Sequence, residues 1–544
     1  MTVTATVGGF AVAVISPSEP PMIRFRSTRH SALAVTPTDR SWRAIAMTVL
    51  LLAGVFPAVA AQDQQVSAAL ASGLRPSVLP ADAALPHWSL QERMAHHHVP
   101  GVAIGVLRGG RLVHSAGYGT REAGTTAAVD GDTLFSVGSV SKVVSAATTL
   151  RLVADGTLTL DQDVDRWLTR WKVPASTDVP ATPITLRMLL SHTSGLGIHG
   201  FDDYLPEEAV PTLLQTLDGA APAKNRPVRR EHAAGERGSY SGGGVMVEQM
   251  VLEDATHQPL EALARREVFG PLRMRRSTYA SPLPASAGNI AKAHDGDGAP
   301  TALPRGWQTF PEQAASGLWT SANDLAALVG ALIDSYQGRG GFLPRALATD
   351  MMTEVSPSWH GLGPRLDGAG LTRIFHHGGS NDSYRAWIEG YLQTGDGLVI
   401  LTNGENGAAL ASEIRNALSD AIGVGVNPLV RSVVLDPHST ATADFAGIFD
   451  NDERVPMDQR RALADFFDVP ALQVRWVDGA LRVGVAGRSR DGLMLPLTPN
   501  RFVSPDIEGL QVEFHRDAFG QVQALSVEHG PARAYYRRRA PTAP

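Results

Sequence analysis

Leu134-Phe135-Ser136-Val137-Gly138-Ser139-Val140-Ser141-Lys142-Val143-Val144-Ser145-Ala146 sets a serine and a lysine three residues apart in an otherwise uncharged run. On a helix, residues i and i+3 share a face, so the Ser139 hydroxyl and the Lys142 amine meet. Such a pair is a nucleophile beside a base. The chain has four lysines (Lys142, Lys172, Lys224 and Lys292), and only Lys142 has a serine three positions before it. Between Thr133 and Leu150 it is also the only charged side chain. Burial in an apolar helix start and the positive end of the helix dipole both disfavour an ammonium, and so favour the neutral amine that a general base needs. A bare Ser-x-x-Lys also occurs in solvated first turns of helices, so the reading depends on what surrounds it.

Upstream of this stretch, Leu90 to His98 reads as an amphipathic helix, ended by Val99-Pro100-Gly101. Its His96-His97-His98 run has the wrong geometry for a metal site, because adjacent helical residues point in different directions. Val102 to Leu107 and Leu112 to Ala116, joined at Arg108-Gly109-Gly110, read as a β-hairpin. Downstream, the Ser139 helix is expected to run to about Ala154, with Gly156 as its C-cap. Leu160–Leu168 and Leu186–Ser191 are expected as short helices, the second capped by Thr185. Residues 198–238, rich in Pro, Gly and charge, form an excursion that can shape a cleft. Helices follow from Val245 to Thr256, from Pro259 to Val268, and after the cap Ser321. A second hairpin has arms Tyr384–Leu392 and Gly397–Thr402, and a helix covers Ala408–Ile422. Strands thus open and close this region and helices fill its middle, which implies one antiparallel sheet built from both ends with a helical layer inserted. From about Val426 the pattern changes to short runs between turns, namely residues 471–477, 481–485, 510–514 and 524–527. These are expected to make a small all-β domain. Arg537-Arg538-Arg539 reads as a solvated tail.

At 544 residues the chain exceeds one ordinary domain. With 43% hydrophobic and 19% charged residues it suits a globular protein with a large core. Its net charge of −6 gives no sign of a nucleic-acid partner, and its lack of cysteine excludes disulfides, thiolate metal sites and a Cys nucleophile. No cofactor or metal is expected. The start of the chain reads as an address. Five arginines precede an apolar run from Ala44 to Phe56, and Pro57-Ala58-Val59-Ala60-Ala61-Gln62 follows as a small-residue cleavage site. Residues 1–61 are therefore expected to be a signal peptide with a long n-region. Residues 62–85 are expected as a linker, 86–425 as the main domain and 430–540 as the β-rich domain. The expected location is periplasmic or secreted, with no stable membrane anchor after cleavage.

Three motifs in order resemble the penicillin-recognising serine hydrolases: class C β-lactamases, D-alanyl-D-alanine peptidases, D-aminopeptidases and related esterases. They are Ser139-Val140-Ser141-Lys142, Tyr240-Ser241-Gly242 and His377-Gly378-Gly379, and the resemblance covers roughly residues 86–424. It implies a β-lactamase-like α/β (α+β) fold: an antiparallel sheet flanked by helices, with a helical subdomain. It implies Ser139 as the acylated nucleophile and Lys142 as its proton acceptor. Tyr240 is implied as a proton carrier, where neighbouring positive charge favours its phenolate. The backbone N–H groups of Ser139 and Ser380 are implied as the oxyanion hole, with Gly379 letting the edge strand approach the substrate. Two positions depart from the β-lactamase pattern. Gly242 replaces an Asn whose amide holds peptide-like substrates, and the Gly242-Gly243-Gly244 run is expected to leave room there. His377 stands where β-lactamases carry Lys, and a His is only partly charged at neutral pH. The H-x-G spacing favours His377 over His376, which is read as structural.

The reading is a secreted serine hydrolase that cleaves a small ester, amide or peptide substrate through an acyl-enzyme. Its alternatives are a D-amino acid peptidase or β-lactamase, and a non-catalytic binding protein on the same fold. A further alternative makes the β-domain the functional part, as a carbohydrate or peptide binder that covers the cleft.

Overall fold

The computed structural model describes residues 61–435, 444–452, 454, 469–488, 491–507, 509–530 and 532–540. Most of the expected signal peptide lies outside these residues. No helix among the described residues is long and apolar enough to cross a membrane.

A helical layer begins with α1, Leu90–His96, capped by a reciprocal Ser89–Glu92 capping box. The first hairpin forms as expected, with β1 (Gly101–Arg108) and β2 (Arg111–Gly119) joined by Gly109 and Gly110 at positive φ. Helix α2 runs Ser141–Ala154, α3 runs Gly242–Thr256 and α4 runs Ala322–Gln337. The late strands are β3 (Arg365–Asp367), β4 (Ile374–Asn381), β5 (Tyr384–Tyr391) and β6 (Gly397–Thr402), and α5 (Gly407–Ile422) ends the region. The six strands form one sheet in the order β2-β1-β6-β5-β4-β3, with every neighbouring pair antiparallel. The two ends of the region therefore meet at its centre, β1 beside β6. Helices cover both faces, and β1 is buried along its length apart from Arg108. One core packs α2, α3 and α4 against one sheet face, and a second packs α1 and α5 against the other.

Three local expectations are corrected and a fourth is extended. Residues 62–85 are no linker: residues 61–72 are helical, bury Val66 and Leu70 in the second core, and place Asp63 2.7 Å from His114. Arg75 pairs with Asp420 at 2.7 Å, and Val78–Leu79 runs parallel to Val430–Arg431. Leu160–Leu168 keeps only one tight turn, Val164–Arg166, because Val164 N–H donates to Ile184 O instead of continuing a helix. Helix α3 begins three residues earlier than expected, since Ser241 caps it by accepting from Gly244 N–H at 2.7 Å. The arginine tail is solvated, with Arg537 and Arg539 exposed, but it is not a free end. It closes the C-terminal domain, where Arg537 pairs with Asp452 at 3.0 Å, Arg538 with Asp444 at 2.9 Å and Arg539 with Asp450 at 2.5 Å.

That domain is a closed antiparallel barrel. Its described strands are β7 (Gly447–Asn451), β8 (Ala471–Val477), β9 (Ala480–Val485), β10 (Asp491–Pro496), β11 (Arg501–Val503), β12 (Leu510–Arg516), β13 (Val522–His529) and β14 (Ala532–Arg538). Strand β14 pairs with β7, so the barrel has no open edge. Phe445, Phe449, Phe502, Phe514 and Tyr536 fill its interior.

Candidate active site

Ser139 sits in the single 3-10 turn Gly138–Val140 that leads into α2. From Thr133 to Leu150 it is the only residue not buried. Glycine is required on both sides of this turn. Gly138 has φ +48°, and a Cβ there would lie 2.7 Å from Ser380 N. A Cβ on Gly379 would lie 1.9 Å from Val137 O. So Gly379 brings β4 against the Ser139 turn, where the sequence suggested an approach to substrate, and the Ser380 backbone N–H comes to lie against the turn. The Ser141 hydroxyl ties it further, donating to Gly138 O at 2.6 Å and accepting from Leu318 N–H at 3.0 Å. Asn381 Nδ2 donates to Ser136 Oγ at 2.6 Å and joins the end of β4 to the strand entering the turn.

Lys142 is 4% exposed. Its Nζ donates to Ser139 Oγ at 3.1 Å and to Ala315 O at 2.8 Å, and lies 4.8 Å from the centre of the Tyr240 ring. The Ala315 carbonyl is held in place from α3, since Gln249 Oε1 accepts from Ala314 N–H at 3.1 Å. The first two motifs therefore meet.

Tyr240 is buried among four histidines, with ring-centre distances of 4.3 Å to His192, 5.1 Å to His199, 5.9 Å to His360 and 6.2 Å to His377. His192 Nδ1 accepts from Ser241 N–H at 3.1 Å, which fixes the backbone beside Tyr240. His377 Nδ1 lies 2.7 Å from Gly378 O, and because a carbonyl only accepts, Nδ1 carries the proton. Burial, then the charges of Arg365 and Lys142, hold the His377 imidazole well below the usual histidine range. The partial charge expected at this position is thus corrected to a neutral ring. His192 and His360 are lowered in the same way, burial first. Positive charge beside Tyr240 comes instead from Arg365, whose guanidinium carbon lies 5.3 Å from the Tyr240 ring and 5.1 Å from that of Trp359.

Gly242 does not open a void. A Cβ there would meet the Phe201 ring at 2.9 Å and His199 O at 3.0 Å, because the excursion after residue 198 fills the space. That excursion is seated on the sheet, with Asp203 Oδ2 accepting from Asp382 N–H at 2.7 Å. Alternation along β4 sends His376 to the face opposite His377, where it stacks on Trp387 at 5.0 Å. His97, in the triplet, lies 3.1 Å from Glu413, which also pairs with Arg93.

A cavity of about 850 Å³ joins these parts. Its lining includes Ser139, Lys142, Tyr240 and Phe201, and also Ile507 and His529 of the barrel. Sequence reading missed Phe201, His360 and Arg365 because they stand in no local pattern. His192 stands inside Leu189-Leu190-Ser191-His192-Thr193-Ser194-Gly195, a stretch that flanks the three motifs and adds to the resemblance, but nothing near it in the chain points to Tyr240.

Three carboxyls bear on stability. Burial pushes Glu312 up to about 8, and Glu248 and Asp203 up to about 7. Each is ionised in the unfolded chain above about pH 5 and stays protonated in the fold up to its raised value. The stability it contributes is full below the unfolded value and is lost as pH rises through the folded one. Above about pH 7.5 the buried histidines are neutral in both states and drop out of the balance. Raising pH from about 7.5 to about 9 is thus expected to cost on the order of 1 kcal/mol. Thermal unfolding across that range checks it, and a midpoint that rises would contradict it.

A family model described as Beta-lactamase matches residues 89–421. The chain is 31% identical over 279 residues to esterase EstB of Burkholderia gladioli, covering 46% of this chain and 68% of that protein. It is 28% identical over 395 residues to penicillin-binding protein 4 of Amycolatopsis lactamdurans, covering 68% of this chain and 98% of the other. A crystal structure of SurE superposes with a TM-score of 0.53 at 21% identity, covering 88% of this chain and 100% of its own, a likeness of fold.

Proposed function

The chain belongs to the Beta-lactamase family, and from that premise we propose that it hydrolyses an ester or amide through a covalent acyl-enzyme on Ser139. The observation that carries this reading is the 3.1 Å contact from Lys142 Nζ to Ser139 Oγ, at the one residue of its buried stretch that is left accessible. Lys142 accepts the Ser139 proton as Oγ attacks the substrate carbonyl. The backbone N–H groups of Ser139 and Ser380 receive the negative oxygen. Tyr240, over which Lys142 lies, carries a proton to the leaving group. Water then releases the acyl group by the reverse proton path.

Gly242 and His377 set the preference within the family. Gly242 brings no side-chain amide to hold a peptide, and His377 is neutral where a charged lysine holds a carboxylate. An esterase or peptidase-like activity fits better than that of a β-lactamase. The N-terminal segment carries export to the periplasm or beyond.

A fluorophosphonate probe on the intact protein tests the reading. The expected result is a single adduct on Ser139, found by peptide mass spectrometry, together with turnover of nitrophenyl esters faster than of nitrocefin. An adduct on another serine, or none, would refute it. Nitrocefin turned over faster than the esters would return the assignment to a β-lactamase.

A further inference from the structure

Helix α3 carries an acid into the interior behind the Ser139 helix. Glu248 is 1% exposed. One of its oxygens accepts from Thr149 Oγ1 at 2.6 Å, and the other faces Ser145 Oγ at 3.5 Å. Ser145 and Thr149 follow Lys142 by three and seven residues, so they continue the face of α2 that bears Lys142. The Ser145 hydroxyl also donates to Lys142 O at 3.1 Å. Among the described residues, Lys142 on α2 is the cation whose charge reaches Glu248, and Tyr279, whose hydroxyl donates to Ser141 O at 2.9 Å, is the other titratable group facing it. An acid at such a depth is costly, and an apolar residue of the same size would pack there without that cost.

We propose that Glu248 is a positioning residue that acts through Lys142, its carboxylate being the counter-charge to the ammonium formed when Ser139 gives up its proton. The catalytic half of this rests on the hydrolase reading above, while the pairing of the two groups does not. In the step concerned, the Ser139 O–H bond breaks, an N–H bond forms on Lys142, and the oxygen electron pair makes the new bond to the substrate carbon. The cation so formed lies near the Tyr240 ring, against Ala315 O, with the Glu248 carboxylate behind it. Burial holds that carboxyl up to about 7, against the pull of Thr149, Ser145 and Lys142, so it changes charge within the neutral range.

The scarcity of lysine makes the test direct. Competitive acetylation with acetic anhydride, read by peptide mass spectrometry, reports Lys142 against Lys172, Lys224 and Lys292 as internal references. Glu248→Gln keeps the shape and removes the charge. At about pH 7.5 it is expected to raise the relative labelling of Lys142 about fivefold, because the neutral amine gains population when its counter-charge is gone. Thr149→Val removes the hydrogen bond that favours the carboxylate. It is expected to raise the ratio about twofold, and serves if the Gln variant does not fold. Fluorophosphonate modification of Ser139 is expected to slow about tenfold in Glu248→Gln. A purely structural role would lower the unfolding midpoint and leave the labelling ratio alone, so an unchanged ratio overturns the proposal whatever Ser139 does. A raised ratio in a protein whose Ser139 is never modified would uphold the pairing and refute the hydrolase reading.

Discussion

Ser139→Ala is expected to lower turnover of any ester or amide substrate by about four orders of magnitude or more, and to remove the fluorophosphonate adduct. The substitution removes the oxygen that forms the acyl bond and leaves the surrounding structure intact. The turn is held by Ser141, Leu318 and Gly138, none of which uses the Ser139 hydroxyl. Folding is therefore expected to survive, and the loss should appear in kcat with ester and amide alike. What activity remains would come from the oxyanion hole and from binding alone. Steady-state rates with a nitrophenyl ester, alongside an unfolding curve, make the comparison. A variant that kept more than about a tenth of the wild-type rate would place the nucleophile elsewhere.

The second large effect belongs to Lys142→Met. Methionine matches the length of the lysine stem and its place in an apolar core, and removes the amine. Acylation of Ser139 is expected to slow about a thousandfold, the span that general-base assistance commonly supplies. Two losses combine: the proton acceptor 3.1 Å from Ser139 Oγ and the hydrogen bond to Ala315 O. The double variant with Ser139→Ala is expected to be no slower than Ser139→Ala alone, because the two groups act as a unit. Stopped-flow labelling of Ser139 gives the rate for Lys142→Met, and steady-state turnover of a nitrophenyl ester compares the double variant with Ser139→Ala. A double variant that fell a further thousandfold would mean that Lys142 serves a separate function.

The Ser139 and Lys142 pair was legible in the sequence because both lie on one helical turn, where spacing alone sets distance. Tyr240 was legible through its motif, and the adjoining Ser241 proved to cap α3. The sheet was legible because two hairpins with clear turns stand at either end of the region. What escaped notice depends on parts distant in sequence. Nothing near Gly242 says that Phe201 occupies the space beside it, so the glycine run looked like an opening. The charge of His377 is decided by burial and by Arg365, which comes from another strand. Leu160–Leu168 has the apolar spacing of a helix, but its backbone is taken by Ile184. That the solvated arginines at the end would also pair was not legible, because their partners, Asp444, Asp450 and Asp452, lie on the far side of the barrel sequence.

The cavity lined by Ser139 is also lined by Ile507 and His529 of the barrel. These residues leave the ribosome long after the nucleophile does. A chain interrupted between α5 and the barrel would carry the Ser139 turn, with the Lys142 amine beside it, and would lack these lining residues. The order of synthesis gives the Ser139 turn first and the barrel residues that line the same cavity last.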